Sequence, residues 1–108
     1  MEQLEEIEEF PWKNPQIKKY SHLFKFLSDP KRIVLLKMFL QQKYIFVEFI
    51  KEELNISRAA AFAYTKELCD LGLIHKEKNQ DKFVYYTLNK TAVVSKNKIR
   101  FENLVIEF

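Results

Sequence analysis

The chain has 108 residues, of which 47% are hydrophobic and 15% aromatic, and its formal net charge is +3. This length and apolar content suit one folded domain with a modest core, and they exclude a disordered chain, which combines low hydrophobicity with high charge. One cysteine excludes an internal disulfide, no apolar run approaches the roughly 18 residues of a membrane span, and the acidic start is unlike a secretion signal, so we expect a cytoplasmic protein without a membrane partner.

The charge is distributed unevenly along the chain. Residues 1–10 contain five of the 15 acidic side chains and no basic one, so residues 11–108 carry 18 basic and 10 acidic side chains, a net +8. Such a balance suits a polyanion such as nucleic acid. An ordinary lysine-rich, solvated surface is the alternative explanation.

The first predicted elements are an acidic lead-in over residues 1–14 and two helices. Proline disfavours the α conformation in the residue before it, so FPWKNP separates the lead-in from a first helix over 16–27. The helical spacing there indicates a buried row of Ile17, Tyr20, Phe24 and Leu27. Asp29 as N-cap and Pro30 at the first helical position start a second helix that ends near Gln41. Its predicted buried residues are Ile33, Leu36 and Leu40, with Leu35 and Phe39.

The next two predicted helices are joined by a short turn. A third helix over 46–54 places Val47, Ile50 and Leu54 inward. Asn55 tolerates the left-handed conformation of the turn, Ser57 caps a fourth helix over 58–71, and Gly72 ends it. On a helical wheel the inward residues of the fourth helix are Ala61, Tyr64, Thr65, Leu68 and Leu71, and the outward ones are Ala59, Phe62, Ala63 and Lys66.

A hairpin and a tail follow. LIHKEKNQDKFVYYTL contains two strand-like runs, 73–77 and 83–88, around a polar tip. Phe101, Leu104, Val105 and Phe108 fit one helical face, so the tail over 91–108 is predicted to be a helix, although its valines and Ile99 are poor helix formers. The order of elements predicts a winged helix-turn-helix over 15–90, a mainly α fold with a small β-hairpin (α+β).

Three stretches resemble the ArsR family of winged-helix repressors. They are LFKFLSDPKRIVLLKMF at 23–39, ELNISRAAAFAYTKELCDLGLI at 53–74 and DKFVYYTLN at 81–89. The resemblance implies a homodimeric DNA-binding repressor paired through its terminal helices. Many members of that family bind soft metals through two cysteines of the third helix, where this chain has Phe46 and Glu48. The tail of this chain also has no histidine after His75. We therefore expect no metal and no cofactor.

The second helix of a helix-turn-helix lies in the major groove of double-stranded DNA. Arg58 and Lys66 are predicted to reach guanine edges or phosphates, and the alanines and Phe62 to contact thymine methyl groups. The backbone N–H groups that follow Ser57, at the start of the fourth helix, are predicted to bind a phosphate. The predicted hairpin is the wing of the fold. The complete predicted DNA-binding set is Ser57, Arg58, Ala59, Phe62, Ala63 and Lys66, with Lys76, Lys78, Asn79, Gln80 and Lys82 of the wing. For Lys31 and Arg32, phosphate contact and a structural ion pair are equal alternatives.

The apolar rows at the two ends of the chain exceed what a small core can absorb. They predict a homodimer interface formed by Ile17, Tyr20, Phe24, Phe101, Leu104 and Phe108. Cys69, His22 and His75 are assigned structural or surface positions.

No nucleophile elbow, phosphate-binding loop or His/Cys cluster is present in the sequence, so we do not expect an enzyme. The alternative function is a protein-interaction module in which Phe62 is an exposed anchor. The sequence does not identify an effector.

Overall fold

The computed structural model describes residues 10–108, and the predicted acidic lead-in therefore lies largely outside the described residues. Four α-helices and six strands form in this range, with short 3-10 turns at Pro11–Lys13 and Lys90–Ala92. The helices are α1 (Pro15–Phe26), α2 (Pro30–Gln41), α3 (Val47–Leu54) and α4 (Arg58–Asp70). The strands are β1 (Ile45–Phe46), β2 (Ile74–Lys78), β3 (Val84–Leu88), β4 (Val93–Ser95), β5 (Lys98–Phe101) and β6 (Leu104–Glu107).

Polar side chains cap the predicted starts of α2 and α4. The Asp29 carboxylate accepts a hydrogen bond from the backbone N–H of Lys31 at 2.9 Å, and the Ser57 hydroxyl accepts one from Ala60 at 3.0 Å. Each cap satisfies a backbone donor that has no partner within its helix. These local signals predicted both helix starts correctly.

Two residues with positive φ set the path of the chain around α4. Asn55 has φ 51° in the turn after α3, and Gly72 has φ 76° in the turn after α4. The Leu73 N–H donates to the Leu68 carbonyl at 3.0 Å, which closes a Schellman motif and directs the chain into β2. The predicted turn and helix end are confirmed.

The core contains a different face of α1 from the one that the spacing indicated, whereas α2 buries most of its predicted face. α1 buries Leu23 and Phe26, whereas Ile17 and Phe24 are 48% and 55% exposed. The prediction was wrong because α1 has apolar residues on two faces, and spacing alone does not say which one the core covers. In α2, the predicted residues Leu35, Leu36 and Phe39 are buried and Leu40 is partly buried. The exception is Ile33, which is exposed, while Met38 is buried without having been predicted.

The first sheet has the strand order β1-β3-β2 and is antiparallel. Its hairpin register runs from Ile74 opposite Leu88 to Lys78 opposite Val84, which confirms the predicted hairpin. β1 was not predicted, because the third helix was expected to begin at Phe46 rather than Val47. A helix–turn–helix followed by this hairpin is the winged-helix arrangement, so the α+β fold class is confirmed.

The tail is a second three-stranded antiparallel sheet, in the order β4-β5-β6, and the predicted helix is wrong. Ile99 faces Ile106 and Phe101 faces Leu104 across the β5–β6 pair, and Ile99 and Phe101 are buried. Apolar residues alternate along these strands, and β-branched residues favour such a surface. The apolar residues of two alternating strands therefore also fell at helical spacing by coincidence.

The C-terminal sheet packs against the first half of α1. The ring of Phe101 lies edge-to-face with Tyr20 at 5.9 Å, and the Tyr20 hydroxyl accepts a hydrogen bond from the Asn103 N–H at 3.1 Å. Lys19 forms an ion pair with Glu102 at 3.1 Å. None of the helices in residues 10–108 has the length and apolar content that crossing a membrane requires.

Candidate nucleic-acid interface

Helix α4 separates into the two faces that the helical wheel predicted. Ala61, Thr65 and Leu68 are buried, and the Thr65 hydroxyl donates to the Phe62 carbonyl at 3.0 Å rather than facing solvent. The exposed side chains are Ala59, Phe62, Ala63 and Lys66, together with Arg58. The outer face is thus a largely apolar strip with a cation near each end.

Arg58 is not a free cation. Its guanidinium forms an ion pair with the carboxylate of Glu48 on α3, and it lies 5.5 Å from the centre of the Phe62 ring. Glu48 also lies 3.9 Å from the Lys51 ammonium. Glu48 thus places a negative charge beside the start of α4. Glu48 was predicted only to replace a metal ligand, because its pairing with Arg58 depends on how α3 and α4 cross.

Lys66 and Ser57 have partners within α4. The Lys66 ammonium lies 2.8 Å from the Asp70 carboxylate one turn later, and this hydrogen bond and the charge of Asp70 raise the pKa of Lys66. Lys66 therefore stays positively charged at neutral pH. Because the Ser57 hydroxyl holds the N–H of Ala60, its contribution to anion binding is limited to fixing the first turn of the helix.

The wing carries exposed cations and a closed tip. Lys76, Lys78, Gln80 and Lys82 are exposed. The Asn79 side-chain carbonyl accepts the N–H of Phe83 at 2.9 Å, and its backbone carbonyl accepts the N–H of Lys82 at 2.9 Å. Asn79 therefore shapes the tip with its carbonyl and leaves only its side-chain amide N–H₂ for a partner.

Phe83 is a surface residue of the wing that was not predicted. Its side chain is 62% exposed, although it was predicted only as the first residue of a strand. Alternation along the hairpin could have placed it on the outer face with Tyr85, but no pattern indicated that the outer face would stay uncovered at the tip.

Arg32 has a structural position. Its guanidinium lies 3.1 Å from Glu67 and is stacked 4.8 Å from the Tyr64 ring and 5.4 Å from the Phe26 ring. The Tyr64 hydroxyl donates to Asp29 at 3.2 Å, and burial, followed by this hydrogen bond, raises the pKa of Tyr64. Of the two alternatives for Arg32, the geometry favours the structural ion pair. Lys31 stays exposed.

Part of the predicted dimer interface lies around one groove. Ile17 and Phe24 are exposed, and Tyr20, Leu104 and Phe108 are partly buried. Tyr20, Phe24, Asn103 and Leu104 line a shallow groove of about 300 Å³. Phe101 is only 4% exposed, so the core already covers nearly all of its surface and leaves little for a second chain.

The remaining sequence candidates do not form a site. The Cys69 thiol is half-buried on α4, and burial, with a smaller effect of Asp70, raises its pKa. No group of three His, Cys, Asp or Glu side chains within residues 10–108 is arranged to hold a metal ion.

No protein-family model and no curated protein sequence matches the chain. Solved structures do match it. HlyU from Vibrio cholerae N16961 is 26% identical with a TM-score of 0.59, covering 72% of this chain and 83% of HlyU. Reduced HlyU is 27% identical with a TM-score of 0.57, covering 68% and 76% of the two chains. NolR from Sinorhizobium fredii is 16% identical with a TM-score of 0.62, covering 74% and 78%. Both neighbours are winged-helix regulators, and the likeness establishes the winged-helix fold of this chain.

Proposed function

We propose that this protein is a winged-helix transcription regulator that binds double-stranded DNA as a homodimer and acts as a repressor of the ArsR type. The observation that carries the proposal is the exposed strip of α4, which follows a short turn from α3 and precedes a lysine-bearing hairpin. In this arrangement α4 enters the major groove and the β2–β3 hairpin is the wing. The likeness to HlyU supports a regulator rather than an enzyme.

The side chains on α4 favour a particular kind of DNA site. Ala59, Phe62 and Ala63 have no hydrogen-bonding groups, so they suit the methyl group of thymine rather than the polar edges of guanine or cytosine. Arg58 and Lys66 suit guanine edges or phosphates. With so few base-reading groups, much of the sequence preference must come from DNA shape, and we expect A·T-rich sites.

The lysines of the wing contribute affinity more than sequence preference. Lys76, Lys78 and Lys82 are exposed along the hairpin, and each lysine that neutralises a phosphate adds a salt-dependent increment to binding. Gln80 and the free side-chain N–H₂ of Asn79 are suited to donating hydrogen bonds to the acceptors of the minor groove.

A second copy of the chain is proposed to cover the groove between α1 and the C-terminal sheet, which Tyr20, Phe24, Asn103 and Leu104 line. Ile17 and Phe24 expose large apolar side chains on α1, and Phe24 lines the groove together with the half-buried Leu104 of the C-terminal sheet. A dimer with two-fold symmetry would present two copies of α4 to successive major grooves, about 34 Å apart. The site would then be pseudo-palindromic. We propose that the dimer represses by occupying that site, and we assign it no metal and no cofactor.

Selection from a random pool of duplex DNA at two salt concentrations tests the proposal. A palindromic, A·T-leaning motif whose affinity falls as salt rises is the expected result. Arg58→Ala combined with Lys66→Ala should weaken binding to the selected motif. The matched control is Lys90→Ala with Lys96→Ala, which removes the same charge from exposed positions near the C-terminal sheet. No enrichment, or equal loss in both double variants, would contradict the assignment of α4.

The alternative function, a protein-interaction module, rests on Phe62, whose side chain is 40% exposed in the middle of the strip. A contact centred on Phe62 would bury apolar surface and would therefore not weaken steeply with salt. Phe62→Ala separates the two functions: it should weaken DNA binding modestly in the first case and abolish a salt-resistant protein contact in the second.

A further inference from the structure

The tip of the wing presents an aromatic ring on a fixed backbone. Phe83 is 62% exposed, more than any other phenylalanine in residues 10–108. Its backbone N–H donates to the side-chain carbonyl of Asn79 at 2.9 Å, and its backbone carbonyl accepts the N–H of Asn79 at 3.1 Å. Lys82, with φ 66°, completes the turn just before the ring. The base of the side chain is therefore held while the ring is left uncovered.

The seven residues that precede Phe83, 76–82, are all polar or charged. Lys78 and Lys82 lie on either side of the tip, and Asp81 is the one acidic residue between them. An aromatic ring among lysines fits a partner that offers both phosphates and a surface for apolar contact. The minor groove of duplex DNA is such a partner.

The dimensions of the hairpin match the distance to that groove. β2 begins at Ile74, two residues after Gly72 ends α4, and each hairpin strand has five residues. At about 3.3 Å per residue the hairpin reaches roughly 16 Å. The minor groove beside a major groove lies about half a helical turn away, or roughly 17 Å. A wing that starts beside α4 is therefore long enough to place its tip at the flanking minor groove.

We propose that Phe83 is a minor-groove wedge, an inference that rests on the proposed DNA-binding function. Its ring enters the groove beside the major groove that α4 occupies, partly unstacks one base step and bends the duplex. Apolar side chains inserted from the minor groove act in this way in other DNA-bending proteins. Pyrimidine–purine steps such as TA unstack most easily, so Phe83 adds a preference for a TA step on the outer side of each half-site.

The test uses two short A·T-rich duplexes, one with TA steps and one with uninterrupted A-tracts, each labelled at its ends for energy transfer. A 2-aminopurine base at the TA step reports unstacking. The full-length protein should bend the TA duplex and raise its 2-aminopurine fluorescence. Phe83→Ala should abolish both signals and weaken binding to the TA duplex about tenfold. Phe83→Leu should keep part of the bend, because leucine is also an apolar wedge, and Phe10→Ala, which removes an exposed ring elsewhere, should behave like the unmodified chain.

The outcomes separate the wedge from the function on which it rests. If the unmodified protein binds neither duplex, the proposed function fails together with the wedge. If it binds but Phe83→Ala bends and binds the TA duplex equally well, the wedge is overturned and DNA binding stands. Loss of self-association in Phe83→Ala, with bending unchanged, would show that a second copy covers the ring and would also overturn the wedge.

Discussion

Arg58, the first residue of the exposed helix α4, is ion-paired with Glu48 of the preceding helix. Both side chains are more than half exposed, so the pair itself is weak and Arg58 can leave it for a phosphate or a base. Glu48 nevertheless keeps a negative charge where phosphates are expected to approach. Glu48→Gln should therefore raise DNA affinity, by about threefold at low salt, and steepen the dependence of log affinity on log salt by about 0.9.

Fluorescence anisotropy on one labelled duplex at several salt concentrations measures both quantities. Glu53→Gln is the matched control, because it removes the same charge from an exposed position of the same helix. The control should shift affinity less. A fall in affinity for Glu48→Gln would mean that Glu48 instead orients Arg58 for DNA binding.

Arg32 is expected to stabilise the fold and to contribute nothing to DNA binding. It joins α2 to α4 through Glu67 at 3.1 Å and stacks on two aromatic rings, with its side chain only 22% exposed. Arg32→Ala should lower the free energy of unfolding by about 2 kcal/mol, since both the charge-assisted hydrogen bond and the stacking are lost. Urea denaturation measures the loss.

Arg32→Met is the informative companion, because it keeps an unbranched chain over the rings without the charge. Part of the stability should return, since burying the guanidinium carries a cost: its Nε is buried with no hydrogen-bond partner. If Arg32→Ala left the stability unchanged but weakened DNA binding, Arg32 would instead contact a phosphate, the other alternative that the sequence allowed.

Local chemistry explains what could be predicted from the sequence. The Asp29 and Ser57 caps, the left-handed Asn55 and the Gly72 helix end depend on a few adjacent residues, and each was predicted correctly. The outward strip of α4 followed from helical periodicity alone.

The failures concern choices that are made across the chain. α1 has apolar side chains on two faces, and only the packing of distant parts of the chain decides that Leu23 is buried and Ile17 exposed. The tail satisfied a helical spacing and a strand alternation at once, and long-range packing of Ile99 and Phe101 selected the strands. The Arg58–Glu48 pair depends on a helix crossing that no short motif encodes.

Phe101 should behave as a core residue rather than as an interface residue. It is 4% exposed and packs edge-to-face on Tyr20. Phe101→Ala should lower the free energy of unfolding by about 3–5 kcal/mol, because it removes apolar contacts and leaves a cavity. Val105→Ala, on the exposed face of the same sheet, should change it by less than about 0.5 kcal/mol. Normal stability with a dissociated dimer in Phe101→Ala would show the opposite, that Phe101 serves the interface.

Cys69 should be a slow nucleophile. Burial and the neighbouring Asp70 raise the pKa of its thiol, so little of the reactive thiolate forms near pH 8. Iodoacetamide should modify the folded protein several-fold more slowly than the urea-unfolded chain. Asp70→Asn should accelerate the reaction, because it removes the like charge and leaves Lys66 unpaired, whereas Asp81→Asn at the wing tip should not. Equal rates in the folded and unfolded chains would contradict the burial of the thiol.

Tyr64 should make the fold sensitive to alkaline pH. Burial and the hydrogen bond to Asp29 raise its pKa above the ordinary value of 10.0, which means that the folded state holds the phenol proton more tightly than the unfolded state. The corresponding stability is complete below pH 10.0 and is lost as the pH rises through the raised pKa.

Tyr64→Phe loses the hydrogen bond, about 1 kcal/mol, but has no phenol to ionise. Urea unfolding at neutral and alkaline pH should therefore show the unmodified chain ahead at neutral pH and its advantage shrinking above pH 10.0. Lys66 and the other titrating groups are common to both chains and cancel in the difference. An advantage that stays constant across this range would mean that Tyr64 ionises equally easily in the folded and unfolded states.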